Sequence, residues 1–151
     1  MVRTSYLPPT CHLWSNTILA WYEWYPDYAY DFSGISFSAG DSVKLTVTAS
    51  STTSGTAVIE NLSTGQTVTQ HITSSSALCE ENAEWIVEDY EEGDGLVPFA
   101  DFGTVTFTGA SATTGSGSVG PSGATLIDIE QDGEVLTSAS VSGSSVTIRY
   151  V

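Results

Sequence analysis

The stretch Asn82-Ala83-Glu84-Trp85-Ile86-Val87-Glu88-Asp89 sets carboxylates into an apolar, β-prone run. Read as an extended strand, it sends Glu84, Ile86, Glu88 and Tyr90 to one side and Trp85, Val87 and Asp89 to the other. Glu88 is therefore predicted beside Ile86 and Tyr90 on a mixed face. Partial burial there would tune a carboxyl to take a proton from water and hand it on. The competing reading is a solvated strand carboxylate, and spacing alone does not separate the two. Residues 80–94 hold eight acidic side chains in fifteen positions. Most are expected in loops or on a wet face, because an unpaired buried carboxylate is costly and basic partners are few.

A second constellation is the block Trp21-Tyr22-Glu23-Trp24-Tyr25-Pro26-Asp27-Tyr28-Ala29-Tyr30. Alternation puts Trp21, Glu23 and Tyr25 on one face and Tyr22 and Trp24 on the other. A carboxylate between aromatics suits a cleft floor where rings hold substrate side chains and Glu23 makes a polar contact. Ordinary aromatic packing between sheets is the alternative. Other chemistries are poorly supplied. His12 and His71 lack a Cys or His at ligand spacing, and the acidic cluster lacks the EF-hand pattern, so no metal or other cofactor is expected. There is no Gly-x-Ser-x-Gly. Glu23 and Glu88 could face each other as a glycosidase pair does, but no motif supports it.

Strands must position these residues. Polar and apolar side chains alternate along 43–49 and 146–150, and 56–62, 67–73, 84–90, 103–108, 124–130 and 134–140 read the same way. Turns are expected at Ser63-Thr64-Gly65-Gln66 and Asp132-Gly133, and a surface loop over 112–123. No helical period is sustained, so the fold class is all-β, an antiparallel sandwich or barrel. The first nineteen residues contain Pro8-Pro9, no alternation and no acidic residue. They are expected to be a divergent, poorly ordered segment, with one domain over 20–151.

A chain of 151 residues can bury a substantial core. Its three basic residues, Arg3, Lys44 and Arg149, face 18 acidic ones for a net charge of -15. That balance disfavours nucleic acid and anionic membranes as partners and suits an acidic working environment, where carboxyls near their reference pKa of about 4 become neutral. No apolar run approaches the roughly 18 residues of a membrane span, and none near the start reads as a secretion signal. Cys11 and Cys79 permit one disulfide without requiring it. Asn61-Leu62-Ser63 makes Asn61 a glycosylation candidate in a secreted product.

Three of these stretches, Trp21-Tyr22-Glu23-Trp24-Tyr25-Pro26, the segment 82–89 and Phe99-Ala100-Asp101-Phe102-Gly103-Thr104-Val105-Thr106-Phe107, resemble the fungal glutamic peptidases, the eqolisins. The likeness runs from about Ala20 to Val151 and includes Gly120-Pro121-Ser122 and the stretch from Ile127 to Gly133. The resemblance implies a sandwich of two large antiparallel sheets, here without its N-terminal strands. It also implies secretion into acidic surroundings, a monomer, and metal-free hydrolysis of protein or peptide substrates by a glutamate and a glutamine. Glu88 matches the glutamate, which acts as base and then as acid, a cycle suited to a group with a reference pKa of about 4.3. Trp21, Glu23, Tyr25 and Tyr90 match substrate-contacting cleft residues, and Leu19 replaces an aspartate. The family's glutamine lies upstream of the aromatic block, where this sequence has none; Gln66, Gln70 and Gln131 belong elsewhere in the pattern. The cysteine matching Cys79 pairs, in the family, with one upstream. The resemblance thus implies an acid endopeptidase whose present chain is inactive. The alternative is a non-catalytic sandwich that binds peptide or glycan in an aromatic cleft.

Overall fold

A computed structural model describes residues 2–6, 18–89, 91–92, 95–96 and 99–151. Among them every regular element is a strand and every pairing is antiparallel, as the alternation predicts. The ladders are divided among six sheets of two or three strands. The chain forms two compact units, Met1–Glu81 and Asn82–Val151.

In the first unit, β1 (Val2–Tyr6), β2 (Ile18–Tyr22) and β3 (Tyr30–Asp31) form one sheet in that order. The register runs from Val2 opposite Tyr22 to Tyr6 opposite Ile18. Strand pairing thus reaches into the first nineteen residues, where the sequence suggests none; the prolines and residues 7–17 lie outside the described part. A second sheet contains β4 (Val43–Ser51), β5 (Ser54–Asn61) and β6 (Gln66–Thr73), with β5 in the centre. Along β5 every second residue, Gly55, Ala57, Ile59 and Asn61, is buried. Ala57 and Ile59 pack with Ala20 and Phe32 from the β2–β3 side, so two sheets face each other across one core, flanked by Tyr22, Val68 and Ile72. Gly55 can carry no side chain here, since a Cβ would sit 2.5 Å from the Thr48 carbonyl oxygen.

Among the described residues, that core face continues onto β4 without a cover. The register sets Val43, Leu45 and Val47 opposite Asn61, Ile59 and Ala57, hence on the face β5 buries. Yet Val47 is 60% exposed and Leu45 37%. An apolar stripe on an edge strand invites association with other chains. Val47→Lys is expected to suppress concentration-dependent self-association while changing stability by less than about 0.5 kcal/mol; sedimentation velocity across a concentration series checks it.

In the second unit, β7 (Glu91–Glu92) pairs β8 (Gly95–Leu96), ahead of β9 (Thr104–Phe107). β10 (Ala112–Thr114) and β11 (Gly117–Val119) then form a short hairpin inside the stretch the sequence reads as a loop. Its Ser and Thr side chains hide the signal, yet Thr113 and Ser118 bond across it at 2.7 Å. β12 (Glu130–Gln131) and β13 (Glu134–Val135) meet at the expected Asp132-Gly133 turn, whose φ angles of 52° and 83° are those such a hairpin needs. Last come β14 (Thr137–Ser142) and β15 (Ser145–Tyr150), which with β9 make a sheet ordered β14-β15-β9.

Two expected strands, 84–90 and 124–130, carry no ladder over most of their length among the described residues. The second is tied by side chains instead: the Ile129 amide donates to Thr137 Oγ1 at 2.7 Å, and the Ala139 amide to Asp128 Oδ1 at 2.7 Å. The core of this unit is Ala110, Val146 and Ile148, with Trp85, Val87 and Phe102 packed against it.

Candidate active site

The 84–89 segment shows strand alternation in its burial even without a ladder: Glu84, Ile86 and Glu88 are exposed, while Trp85, Val87 and Asp89 are half-buried. Trp85 and Val87 join the apolar core of the second unit, which fixes which face looks outward. Asp89 is held from behind. Its Oδ2 accepts a hydrogen bond from Gln131 Nε2 at 2.9 Å, while its buried Oδ1 has no partner among the described residues. Three consecutive inward positions thus pin the backbone, and Glu88 projects outward between Val87 and Asp89. The expectation that Glu88 is partly buried is corrected, since its side chain is exposed beside the half-exposed Ile86. Among the described residues, the apolar core of this unit takes up Trp85 and Val87 from the other face of the segment. Tyr90 is outside the described residues.

The aromatic block lies in the first unit. Trp21, next to last in β2, stands opposite Asp31, and both Trp21 and Glu23 are half-buried. Tyr25, at 79% exposure, leads into a turn in which the Asp27 amide donates to the Trp24 carbonyl at 2.7 Å, with a cis Tyr25-Pro26 peptide. On the opposite face Trp24 is 6% exposed and its indole N–H donates to the Ser76 carbonyl at 2.9 Å. Tyr22 joins the core beside Phe32. The predicted split of the block into two faces therefore holds as far as Trp24, with Tyr22 and Trp24 turned inward.

Of the three glutamines, Gln66 accepts hydrogen bonds from Ser36 and Thr64 and so ties a turn. Gln131 touches the neighbour of Glu88, a contact that a separation of 42 positions concealed in the sequence. Cys79 is exposed with a free thiol, and Cys11, the other half of the permitted disulfide, is outside the described residues.

Asn61 is fully buried and cannot present a glycan acceptor in this fold, a correction to the reading of its sequon. Its Nδ2 donates both hydrogens, to the Ser36 carbonyl at 2.9 Å and to Asp41 Oδ2 at 2.8 Å. Its Oδ1 accepts from the Ser63 and Thr64 amides at 3.0 and 3.2 Å. The serine and threonine that complete the sequon region serve here as turn amides. Asp41 also accepts from the Ser38 amide at 2.8 Å; this bond first, and then the Asn61 amide, hold its carboxyl below the ordinary value of 3.8.

Sequence comparison places these features among known proteins. Residues 12–150 match the Peptidase A4 family. The chain is 66% identical over 134 residues to aspergillopepsin-2 of Aspergillus niger, covering 87% of this chain and 48% of that protein. It is 45% identical over 145 residues to scytalidopepsin B of Scytalidium lignicola, covering 90% of this chain and 56% of that one. The chain thus spans about half the length of the curated relatives it matches. In structure it superposes on aspergilloglutamic peptidase from Aspergillus niger with a TM-score of 0.88 at 59% identity, covering 99% of this chain and 86% of that chain. For scytalido-glutamic peptidase with a transition state analog inhibitor the TM-score is 0.84 at 45% identity, with 89% and 70% covered. An all-β antiparallel architecture, a Trp-Ile-Val-Glu segment held with its glutamate outward, and a match across nearly the whole sequence lead to one assignment: the chain belongs to the Peptidase A4 family, the glutamic peptidases or eqolisins.

Proposed function

We propose that this chain carries the general-base part of an acid-acting glutamic endopeptidase. The observation that carries the reading is Glu88, exposed on a segment pinned by Trp85, Val87 and the Asp89–Gln131 hydrogen bond, at the position that matches the family's glutamate. In this reading the Glu88 carboxylate takes a proton from water as the water oxygen bonds to the peptide carbonyl carbon. It then returns that proton to the departing amine as the C–N bond breaks. Trp21, Glu23, Tyr25 and Tyr90 contact the substrate, which is a protein or peptide. Solved structures of a relative with a peptide based transition state analog, and of an eqolisin with the tripeptide Ala-Ile-His, support that substrate class. The working location is extracellular and acidic, in keeping with the excess of carboxyls.

The developing oxyanion needs a donor, worth about 2.7 to 4 kcal/mol in acyl transfer. The family's donor is a glutamine upstream of the aromatic block, and no glutamine stands there in this sequence. The purified 151-residue chain is therefore expected to leave a denatured protein uncut at low pH. Joined to the upstream part of its Aspergillus niger relative, it is expected to cut. Cleavage by the chain alone would overturn the inactivity, and a folded but inert joined protein would overturn the catalytic reading. The aromatic block, with Trp21 and Glu23 half-buried and Tyr25 exposed, also favours a second reading, a sandwich that binds peptide or glycan in an aromatic cleft without cleaving it. In that case the joined protein would bind ligand and stay inert.

A further inference from the structure

The reverse face of the aromatic block opens a concavity of about 480 Å³ within the first unit, separate from the face that bears Trp21 and Glu23. This volume lies in the range of pockets that hold small ligands or side chains, about 300 to 1,000 Å³. Four rings line it, those of Tyr22, Trp24, Tyr28 and Tyr30, with Asp27 and His71 beside them and the Thr73–Ser75 hydroxyls along one edge. The Trp24 ring is buried and fixed by its bond to the Ser76 carbonyl, so that part of the wall is preformed. The Tyr22 and Tyr30 rings stack at 5.9 Å and 29°. Tyr28 is 84% exposed and Tyr30 55%, which leaves their ring faces open to a partner.

The chemistry of this wall selects a charge. Aromatic faces are the negative ends of ring quadrupoles and attract ammonium or guanidinium groups. Among the described residues Asp27 is the pocket's one carboxylate and adds to the attraction, no Lys or Arg lines the pocket, and the chain as a whole carries a net charge of -15. Carboxylates and phosphates are repelled by the same groups. We propose that this pocket binds the side chain of a lysine or arginine on a polypeptide, a role different from the chemistry assigned to Glu88. The cationic preference stands on the pocket itself. The choice of a polypeptide as bearer of the cation rests on the peptidase reading.

Calorimetric titration of the folded chain at neutral pH and low salt tests this, with a lysine-containing peptide, its norleucine counterpart, n-butylammonium and a neutral oligosaccharide as probes. The lysine peptide is expected to bind at least about tenfold tighter than the norleucine one, and to weaken as salt is raised. Asp27→Asn is expected to cost about fivefold, and Tyr28→Ala about two- to fivefold, the scale of an exposed cation–π contact. Both positions are on the surface, and circular dichroism confirms that the variants fold. Equal binding of the lysine and norleucine peptides, absence of binding, preference for the oligosaccharide, or indifference to both substitutions would overturn the proposal. Butylammonium bound as tightly as the peptide would overturn the polypeptide assignment. The readout is binding, so it separates cleanly from failure of the catalytic reading, which shows only in cleavage.

Discussion

Glu88→Gln, made in the protein that joins this chain to the upstream part of its relative, is expected to lower acid cleavage of a denatured protein by about 10² to 10⁴-fold. That is the range a positioned general base supplies. The substitution keeps the side chain's shape and removes its ability to accept a proton. Because Glu88 is exposed and the inward anchors Trp85, Val87 and Asp89 are untouched, the thermal midpoint is expected to stay put. The loss should fall on kcat, since a base acts in the transition state, with KM little changed. A variant that cuts within about threefold of the parent would remove Glu88 from the base role. A matching fall in thermal midpoint would recast Glu88 as structural.

Asn61→Ala is expected to cost about 2 to 4 kcal/mol of stability, read from urea midpoints, because it deletes four hydrogen bonds and leaves buried groups without partners. Asn61→Asp should do at least as much harm by setting a second carboxylate against Asp41. The same network gives a pH dependence of known sign. Asp41 titrates below 3.8 when folded, so its ionised form is favoured by folding. That contribution is complete above the unfolded value and is lost as the pH falls through the lower folded value. In a pH series the parent should lose stability below about pH 4 more steeply than Asp41→Asn, and the two curves should run parallel above about pH 5. Parallel curves throughout would show that the Ser38 and Asn61 bonds do not favour the charged form. For a protein read as working in acid, a carboxylate that stays ionised below the ordinary range keeps this turn closed where most carboxyls have begun to protonate.

Residue periodicity carried much of the fold. The alternation along 43–49, 67–73 and 146–150 foretold β4, β6 and β15, and Asp132-Gly133 foretold the β12–β13 turn, because both signals depend on neighbours a few positions apart. The same alternation foretold which side chains of 84–89 share a face. It did not tell which face the core would claim, and that decided the exposure of Glu88. The hairpin within 112–123 escaped notice because serines, threonines and glycines give no polar-apolar contrast.

Identity as a glutamic peptidase relative was thus written in the residues themselves, since it rests on local strings that any reader of the chain can see. Only the folded chain revealed that Asn61 is spent on Ser36, Asp41 and its own turn, that Gln131 braces Asp89, and that Tyr22 and Trp24 wall a pocket with His71. Apart from the turn of Asn61 itself, the hydrogen-bonded partners lie 20 to 42 positions apart. Hydrogen bonds and ring contacts act over a few ångströms of space, and sequence spacing encodes such distances only within one strand or turn.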